Sequence, residues 1–523
     1  MFRKKVLPIL LLPLCILLAF PCLFAQAAGS GGDDRPVQTL LMYDSLSHGT
    51  RKEGNVEALQ RLLASFDVQV TLKSFDKYEP DTLKNYDDVI VIRNAPDLTG
   101  PPAAYLTDLQ QYRGRYLHIG AQLPEQAAQA LKLREEPGGQ AIVRLKIGPF
   151  TGPSIRAELF SSIVGYEGKA YGSWSSSNRP ETSPYGVVQG RYGYVPFMEK
   201  GDLSEIAVSY LLRDWLGASG ESRYYAVFKE IYPFSDLDML RRMADRLYES
   251  GIPFMASVRP VLDNFDYPAV QRYLETLKYV QSRNGTIVVH APFVASTISQ
   301  DYTTLKKQMS AFVNALAEYG IAPLAVGAEM YWTYDEHYAS QGMDLFDSVV
   351  MFANERIVYR TPTDRSKTFA SLLYSLEAGK LQAYGEAARN TEPLPMDAAL
   401  VFDFPRDEKQ FRDTLAMLQN DWRTFADYKN SDHSVRTDRH EIESAHGLLQ
   451  IDGKTLLLNK VYEDVDSAHT YIQEGPRSLD ALFTVQNRVF IILILSTLII
   501  FSGFLLIGYR LYKRKYIHPG RKQ

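Results

Sequence analysis

The sequence contains only two cysteines, Cys15 and Cys22, and both lie within the first 27 residues. The rest of the chain therefore has neither a disulfide nor a cysteine ligand for a metal. The first strand–helix turn of residues 37–135 lacks a G-x-G-x-x-G pattern, so nothing there marks a dinucleotide site. Basic residues are also fewer than acidic ones, 57 against 61. The formal net charge is −4, and the nine basic residues of the two termini leave −13 on the part between them. This acidic part disfavours nucleic acid as a partner.

The two ends of the chain predict export and a membrane anchor. Residues 1–27 combine three basic residues, a long apolar stretch and a small-residue site, the pattern of a signal peptide cleaved after Ala27. An uncleaved anchor helix is the alternative. Residues 489–509 are 21 residues without a charge, long enough to cross a bilayer core of about 30 Å. The basic residues of 510–523 predict a cytoplasmic tail, which places residues 28–488 outside the cell membrane.

Residues 37–135 alternate the patterns of buried strands with those of amphipathic helices. In "GNVEALQRLLASF", four apolar residues, Val56, Leu59, Leu62 and Leu63, share one helical face. This alternation predicts a flavodoxin-like, doubly wound α/β domain with a parallel sheet. In such sheets, ligands bind beyond the C-terminal strand ends. The polar or glycine residues at those ends are Asp44, Ser45, Arg93, Asn94 and Gly120.

Two further segments have less regular patterns. Residues 138–220 are rich in Gly, Ser and Tyr, and they predict a small β-rich module followed by a linking helix that ends at Gly217. Residues 431–488 predict an accessory hairpin that turns at Asp452-Gly453, or a stalk before the membrane. The histidines of this last segment match no metal motif and are predicted to be exposed to solvent. They are His433, His440, His446 and His469.

Residues 223–430 repeat strand and helix patterns, with a unit of roughly 30 residues that is typical of a (β/α) barrel. The helix of "SDLDMLRRMADRLYESG" is predicted to begin with a capping box at Ser235 and to end at Gly251. The working face of such a barrel is formed by the C-terminal ends of its strands, and polar residues recur there. They are Lys229, Glu230, Arg259, Asp263, His290, Glu329, Tyr331, Trp332, Asp335 and Asp403.

The segment "RYYAVFKEIYPFSDLDMLRRMADRLYESGIPFMASVRPV", followed by "NGTIVVHAPF", resembles the polysaccharide deacetylase-like superfamily of carbohydrate esterases, which are divergent (β/α) barrels. It is most similar to the membrane-anchored branch linked to exopolysaccharide gene clusters of Gram-positive bacteria. The resemblance implies a divalent metal such as zinc, held by one Asp and two His. A neighbouring Asp would act as the base in removing an N-acetyl group.

Several positions depart from that pattern. The Asp-Asp pair of the superfamily maps onto Lys229 and Glu230. Glu230 can offer an oxygen to zinc, but Lys229 cannot act as a carboxylate base and would repel a cation. His290 matches the first histidine, and Val294 stands where the second is expected. With only His290 and Glu230 left as ligands, we expect no bound metal, and zinc is the alternative.

Other residues near the strand ends are candidates to rebuild a site. Besides Glu230, the candidate catalytic carboxylates are Glu329, Asp335 and Asp403, and His337 follows the same strand as Glu329. Asp403 could equally cap the helix that follows it. Three aromatic residues could stack on sugar rings or pack the barrel mouth. They are Tyr331, Trp332 and Tyr334.

Three interpretations follow from the sequence. The first is a pseudoenzyme with a degenerate metal site, which binds polysaccharide or serves with other proteins in exopolysaccharide or cell-envelope assembly. The second is an active metal-dependent carbohydrate deacetylase or other hydrolase with a nonstandard ligand set. The third is an interaction or sensing protein that acts through residues 37–135. In all three, the chain contacts the lipid bilayer through one helix.

Overall fold

The computed structural model describes most of the chain in two units that divide after Asp464. The predicted signal peptide, His469, Val294 and residues 514–523 of the predicted tail lie outside the described residues. The described residues are 37–95, 100–176, 179–292, 302–353, 363–365, 367, 369–385, 393–421, 423–458, 462 and 479–513.

Parallel strands open the N-terminal half, as the alternating pattern predicts. The elements are β1 (Gln38–Tyr43), α1 (Asn55–Ala64), β2 (Gln69–Ser74), β3 (Asp88–Ile92), α2 (Ala103–Gln111), β4 (Arg115–Ile119) and α3 (Glu125–Ala130), with 3₁₀ turns at Phe75–Lys77 and Thr82–Asn85. β1 pairs in parallel with β2 and β3, and β3 pairs in parallel with β4. All five residues of β3 are buried, and such continuous apolar strands are typical of parallel sheets. The more specific flavodoxin-like assignment stays a prediction.

The predicted β-rich module is part of the same sheet. Its elements are β5 (Arg134–Ile147), β6 (Phe150–Thr151), β7 (Ile155–Gly165), β8 (Lys169–Ser176), β9 (Arg179–Gln189), β10 (Tyr192–Val195) and α4 (Leu203–Leu216). β10 pairs in parallel with β4 and antiparallel with β9, so a single ten-stranded sheet has the order β2-β1-β3-β4-β10-β9-β8-β5-β6, with β7 on β5. The two predicted segments therefore form one sheet. α4 ends at Gly217, which has a φ of 71°, as predicted.

A closed barrel of seven parallel strands follows, which confirms the predicted (β/α) barrel. Its elements are β11 (Tyr224–Ile231), α5 (Leu237–Glu249), β12 (Phe254–Val258), α6 (Pro268–Ser282), β13 (Gly285–His290), α7 (Tyr302–Glu318), β14 (Pro323–Glu329), α8 (Tyr331–Tyr334), α9 (Glu336–Gln341), β15 (Ser348–Phe352), β16 (Ser371–Glu377), α10 (Ala378–Ala383), β17 (Ala398–Asp403) and α11 (Glu408–Gln419), with a 3₁₀ turn at Tyr428–Asn430. β17 pairs with β11 and closes the barrel.

The start of α5 differs from the prediction by one residue. Asp236, rather than Ser235, is the N-cap, and its carboxylate accepts a hydrogen bond from the Met239 amide at 2.9 Å. The Ser235 hydroxyl instead accepts from the Tyr232 amide at 2.9 Å and closes the turn before the helix. Both residue types favour an N-cap, so the sequence alone did not distinguish them.

A small antiparallel sheet ends the first unit. Its strands are β18 (His433–Arg436), β19 (Glu441–Ala445), β20 (Leu448–Ile451) and β21 (Lys454–Thr455). Asp452 and Gly453 both have positive φ values, 51° and 72°, which matches the hairpin turn predicted there. The predicted exposure of His433 is wrong. Its ring is buried, stacks on Tyr428 at 3.9 Å and is hydrogen-bonded to the Ser348 hydroxyl at 2.8 Å.

The second unit contains one long helix, α12 (Leu479–Tyr512). Within it, Val489–Tyr512 has a mean hydropathy of 2.9 and is long and apolar enough to cross a membrane. This agrees with the predicted span at residues 489–509. Which end of the helix faces the cytoplasm stays a prediction.

Candidate functional site

A cavity of about 580 Å³ lies at the C-terminal ends of the barrel strands, and the N-terminal half covers it. Five strands of the barrel bring polar or aromatic side chains to it, and α1 and the start of α4 form the opposite wall. The volume falls within the range of about 300–1,000 Å³ that is usual for ligand pockets. The charged and histidine residues of its barrel wall are Lys229, Glu230, Arg259, His290, Glu329, Glu377 and Lys380.

A β-bulge positions Glu230 at the end of β11. The register of β11 against β12 shifts between Phe228 and Ile231, and Glu230 has a φ of 63°. Such a left-handed conformation is uncommon for a residue with a side chain, and bulges often re-aim a side chain at a functional site. One carboxylate oxygen, Oε1, accepts a hydrogen bond from Arg259 Nη2 at 2.9 Å, and the other, Oε2, accepts from the Tyr232 hydroxyl.

The Arg259 guanidinium bridges the ends of three neighbouring strands. Besides its bond to Glu230 on β11, its Nη1 donates to the Ala291 carbonyl just after β13 at 3.0 Å. Partial burial acts to raise the pKa of Glu230, but the hydrogen bonds from Tyr232 and Arg259 and the charges of Arg259 and Lys229 outweigh it. The pKa of Glu230 is therefore lowered. Glu230 is an ionised carboxylate with both oxygens engaged, so it is poorly suited to act as an acid or as a metal ligand.

Lys229 and Asp403 face each other across β11 and β17. They are in register, and Lys229 Nζ lies 3.5 Å from Asp403 Oδ1. The Asp403 side chain is 66% exposed, so this ion pair contributes little to stability. Asp403 is the ion-pair partner of Lys229. It is not one of the described residues that line the cavity.

His290 ends β13 as a neutral, deeply buried ring. It stacks on Phe352 at 4.9 Å, and Nδ1 is hydrogen-bonded to the Ser257 hydroxyl at 3.1 Å. Burial holds the pKa of His290 well below its usual value, and the charges of Arg259 and Lys229 lower it further. Nε2 is buried and has no hydrogen-bond partner among the described residues. Within the part of the chain that the structure describes, the imidazole thus has one unused hydrogen-bonding atom.

These residues do not fit a divalent metal. Glu230 is already bound to a guanidinium, and His290 has two cationic side chains for neighbours. Within the described parts of the chain, no group of three or more His, Cys, Asp and Glu side chains could hold a metal ion. The position where the superfamily has its second histidine, Val294, lies outside those parts.

The other predicted site residues are only partly brought together. Glu329 lines the cavity, as does Tyr331. Asp335 is fully buried and caps α9, where it accepts hydrogen bonds from the amides of His337 and Tyr338 at 3.1 and 3.2 Å. Trp332 and Tyr334 are buried in the core rather than placed on the cavity lining, and the Trp332 ring lies 4.8 Å from that of Tyr338. Of the three aromatic candidates, therefore, only Tyr331 reaches the cavity.

The contribution of the N-terminal half to this cavity is absent from the sequence-based site. Arg61 of α1 donates from Nη2 to Glu205 Oε1 of α4 at 2.8 Å and to the Tyr374 hydroxyl of β16 at 2.9 Å. From Nη1 it donates to the Ser375 carbonyl at 2.9 Å. A Glu and an Arg four residues apart on a helix, as Glu57 and Arg61 are, usually mark an exposed face. Here both are buried, because α4 and the docked barrel cover this part of α1.

The Arg61–Glu205 pair is charged although it is buried. Burial acts to lower the pKa of Arg61, but its interactions with Tyr374 and Glu205 outweigh it and raise that pKa. Burial acts to raise the pKa of Glu205, but Arg61 and hydrogen bonds, including one from the Gly201 amide at 2.7 Å, lower it overall. This network holds the N-terminal half over the mouth of the barrel.

Fold and site together define a closed parallel α/β barrel with a polar cavity at its strand ends. No family model and no curated protein matches the sequence. Solved structures with similarity to the chain include a peptidoglycan N-acetylglucosamine deacetylase (9% identity, 40% of this chain and 86% of that chain, TM-score 0.24). A provisionally assigned polysaccharide deacetylase from Mycobacterium smegmatis has 12% identity over 40% of this chain and 88% of its own, with a TM-score of 0.24. A mutant of a CE4 family pseudoenzyme with restored enzymatic activity has 9% identity over 57% and 92%, with a TM-score of 0.21.

Proposed function

We propose that the protein is a membrane-anchored, extracytoplasmic barrel of the polysaccharide deacetylase-like type that binds a glycan without metal-dependent chemistry. Its role would lie in exopolysaccharide or cell-envelope assembly. One observation carries the proposal: the Arg259 guanidinium is bound to Glu230, the only carboxylate left at the position of the superfamily's Asp-Asp pair.

The charges around Glu230 explain why a metal is disfavoured there. A divalent cation at this carboxylate would have to displace Arg259 and sit beside Lys229. Two unit charges roughly 4 Å apart repel by about 4 kcal/mol at an effective dielectric constant of about 20, and a divalent ion doubles that cost. Without a metal, the site would lack the Lewis acid that polarises an acetyl carbonyl and its bound water in a metal-dependent deacetylase.

The lining of the cavity supports carbohydrate as the ligand. Six carboxylates and five basic side chains line it, so neither sign of charge dominates. Sugars present many hydroxyls that both donate and accept hydrogen bonds, and such a mixed lining suits them. The Tyr331 ring supplies an aromatic surface for the C–H face of a sugar.

Metal content, activity and binding test this proposal on the full-length protein in detergent micelles. We expect less than one metal per chain by mass spectrometry, no change in that content in His290→Ala, and no acetate release from N-acetylglucosamine oligomers. Calorimetry should show saturable binding of a neutral oligosaccharide. One zinc per chain that is lost in His290→Ala, together with acetate release, would instead establish an active metal-dependent deacetylase.

A further inference from the structure

We infer that the glycan is held by both halves of the protein at once, with one neutral saccharide bound between Glu57 of α1 and His290 of β13. This rests on the proposed function and adds a specific site to it. The N-terminal half would then be one wall of the binding site rather than a separate module.

Unused hydrogen-bonding atoms face the cavity from both sides. Glu57 Oε2, His290 Nε2 and Arg259 Nε are buried and have no hydrogen-bond partner among the described residues. All three residues line the cavity, and Glu57 and His290 are only 4% and 2% exposed. A buried polar atom without a partner has lost its hydrogen bonds to water, which costs free energy. A ligand that supplies hydroxyls to these atoms recovers that free energy, so they indicate where it binds.

The position of Glu57 relative to the barrel is fixed. Arg61 follows Glu57 by four residues on α1, so the two side chains lie one helical turn apart on the same face. Arg61 is hydrogen-bonded to Tyr374 and Ser375 of the barrel and paired with Glu205. Glu57 is therefore held at a set distance from the barrel wall that contains His290, as a two-sided binding site requires.

The chemistry of these atoms favours a neutral, polyhydroxylated ligand. Arg259 Nε can only donate a hydrogen bond, whereas an ionised Glu57 oxygen can only accept one. His290 Nε2 can take either role, because the Ser257 hydroxyl on its other nitrogen can donate or accept. Neighbouring hydroxyls of a sugar can both donate and accept, so they can satisfy Arg259 Nε, Glu57 Oε2 and His290 Nε2. An acidic saccharide would bring its charge towards Glu57 and Glu329, and a basic one towards Arg259 and Lys229.

Calorimetry on the full-length protein in micelles tests this site with cellobiose, N,N′-diacetylchitobiose and digalacturonic acid as probes. We expect the wild type to bind a neutral disaccharide more tightly than the acidic one. Glu57→Ala and His290→Ala should each weaken that binding about two- to tenfold, the value of one hydrogen bond. Glu57→Gln, which retains an acceptor, should restore most of the affinity. The control is Glu249→Ala, which removes an exposed carboxylate at the end of α5. This variant should bind the disaccharide as tightly as the wild type does.

The outcomes separate this inference from the proposed function. If His290→Ala weakens binding and Glu57→Ala does not, the site belongs to the barrel alone. The inference is then overturned and the proposed function stands. Tighter binding of digalacturonic acid overturns the neutral class of ligand. A wild type that binds none of the probes overturns both proposals. Should Glu57→Ala fail to fold, Glu57→Met keeps the length of the side chain without its oxygens and takes its place.

Discussion

The protein has two sets of parallel strand ends, and polar side chains follow the strands in both. At the ends of the N-terminal sheet these side chains bind one another. Asp44 is fully buried, accepts hydrogen bonds from the amides of Asn94 and Ala95 at 2.8 and 3.0 Å, and lies 3.4 Å from Arg93 Nε. The Asn94 side-chain carbonyl accepts in turn from Asn55 of α1. This cluster ties the strand ends to the helix that covers them.

The barrel ends have a different arrangement. Glu230 and Arg259 bind each other, yet His290 Nε2 and Arg259 Nε stay buried without a hydrogen-bond partner among the described residues, next to a cavity of about 580 Å³. The same rule, that ligands bind at C-terminal strand ends, predicted a site in both places. The comparison teaches that polar side chains at C-terminal strand ends indicate a ligand site only where other groups of the protein do not already satisfy their hydrogen-bonding atoms. It favours the barrel strand ends over the ends of the N-terminal sheet as the place where the ligand binds.

The largest expected effect comes from the network that joins the two regions. Arg61→Met leaves Glu205 buried without its cation, which should lower the free energy of unfolding by about 3–5 kcal/mol. Saccharide binding should fall with it, because the N-terminal wall is no longer held. Urea unfolding of the full-length protein in micelles, followed by tryptophan fluorescence, measures the loss.

Lys409→Met is the matched control for that change. Lys409 also pairs with a carboxylate, Asp413 at 2.6 Å, but both side chains are exposed. The urea midpoint of Lys409→Met should therefore equal that of the wild type. Equal midpoints for Arg61→Met and Lys409→Met would mean that the buried network does not hold the two halves together.

The second prediction separates the two sets of strand ends directly. Asp44→Ala removes the acceptor of two backbone amides and should destabilise the fold by about 2–4 kcal/mol, while the affinity for saccharide stays unchanged wherever the protein is folded. His290→Ala should do the reverse, with affinity lost and a smaller change in stability. Affinity lost in Asp44→Ala at temperatures where circular dichroism shows a folded protein would contradict the comparison.

The sequence predicted the barrel and most of the residues at its rim, because the spacing of apolar residues along strands and helices follows which side chains are buried. Continuous apolar strands and one-sided helices place Glu230, Arg259, His290 and Glu329 at one end of a barrel, and all four line one cavity. It did not predict that β10 joins β4, because the choice of partner strand depends on contacts distant in sequence. That pairing merges the two predicted N-terminal segments into one sheet.

Local sequence patterns also failed to predict that certain charged and polar residues are buried. Glu57 and Arg61 have the spacing of a solvent-exposed helical pair, and they are buried because α4 and the barrel cover α1. His433 lies in a polar segment, yet stacking on Tyr428 and a hydrogen bond with the Ser348 hydroxyl compensate for its burial. In both cases the compensating groups come from another element, and no local sequence pattern contains them.

The smallest expected effect concerns Glu199, in the loop between the N-terminal sheet and the helix that covers the cavity. Burial raises its pKa from 4.5 to about 7, although the charges of Lys52 and Arg51 oppose the shift. The folded state therefore holds this proton more tightly than the unfolded state does. The free energy of unfolding should fall as the pH rises from about 4.5 to about 7 and level off above that.

Glu199→Gln removes that titration and so isolates it. The variant should be more stable than the wild type at pH 8 by about 1–2 kcal/mol, and the difference should vanish near pH 4. Urea midpoints measured from pH 4 to pH 8 give both curves. The exposed control Glu249→Gln should run parallel to the wild type. Parallel curves for Glu199→Gln as well would mean that the Glu199 carboxyl is hydrated in the folded protein, which would contradict its burial.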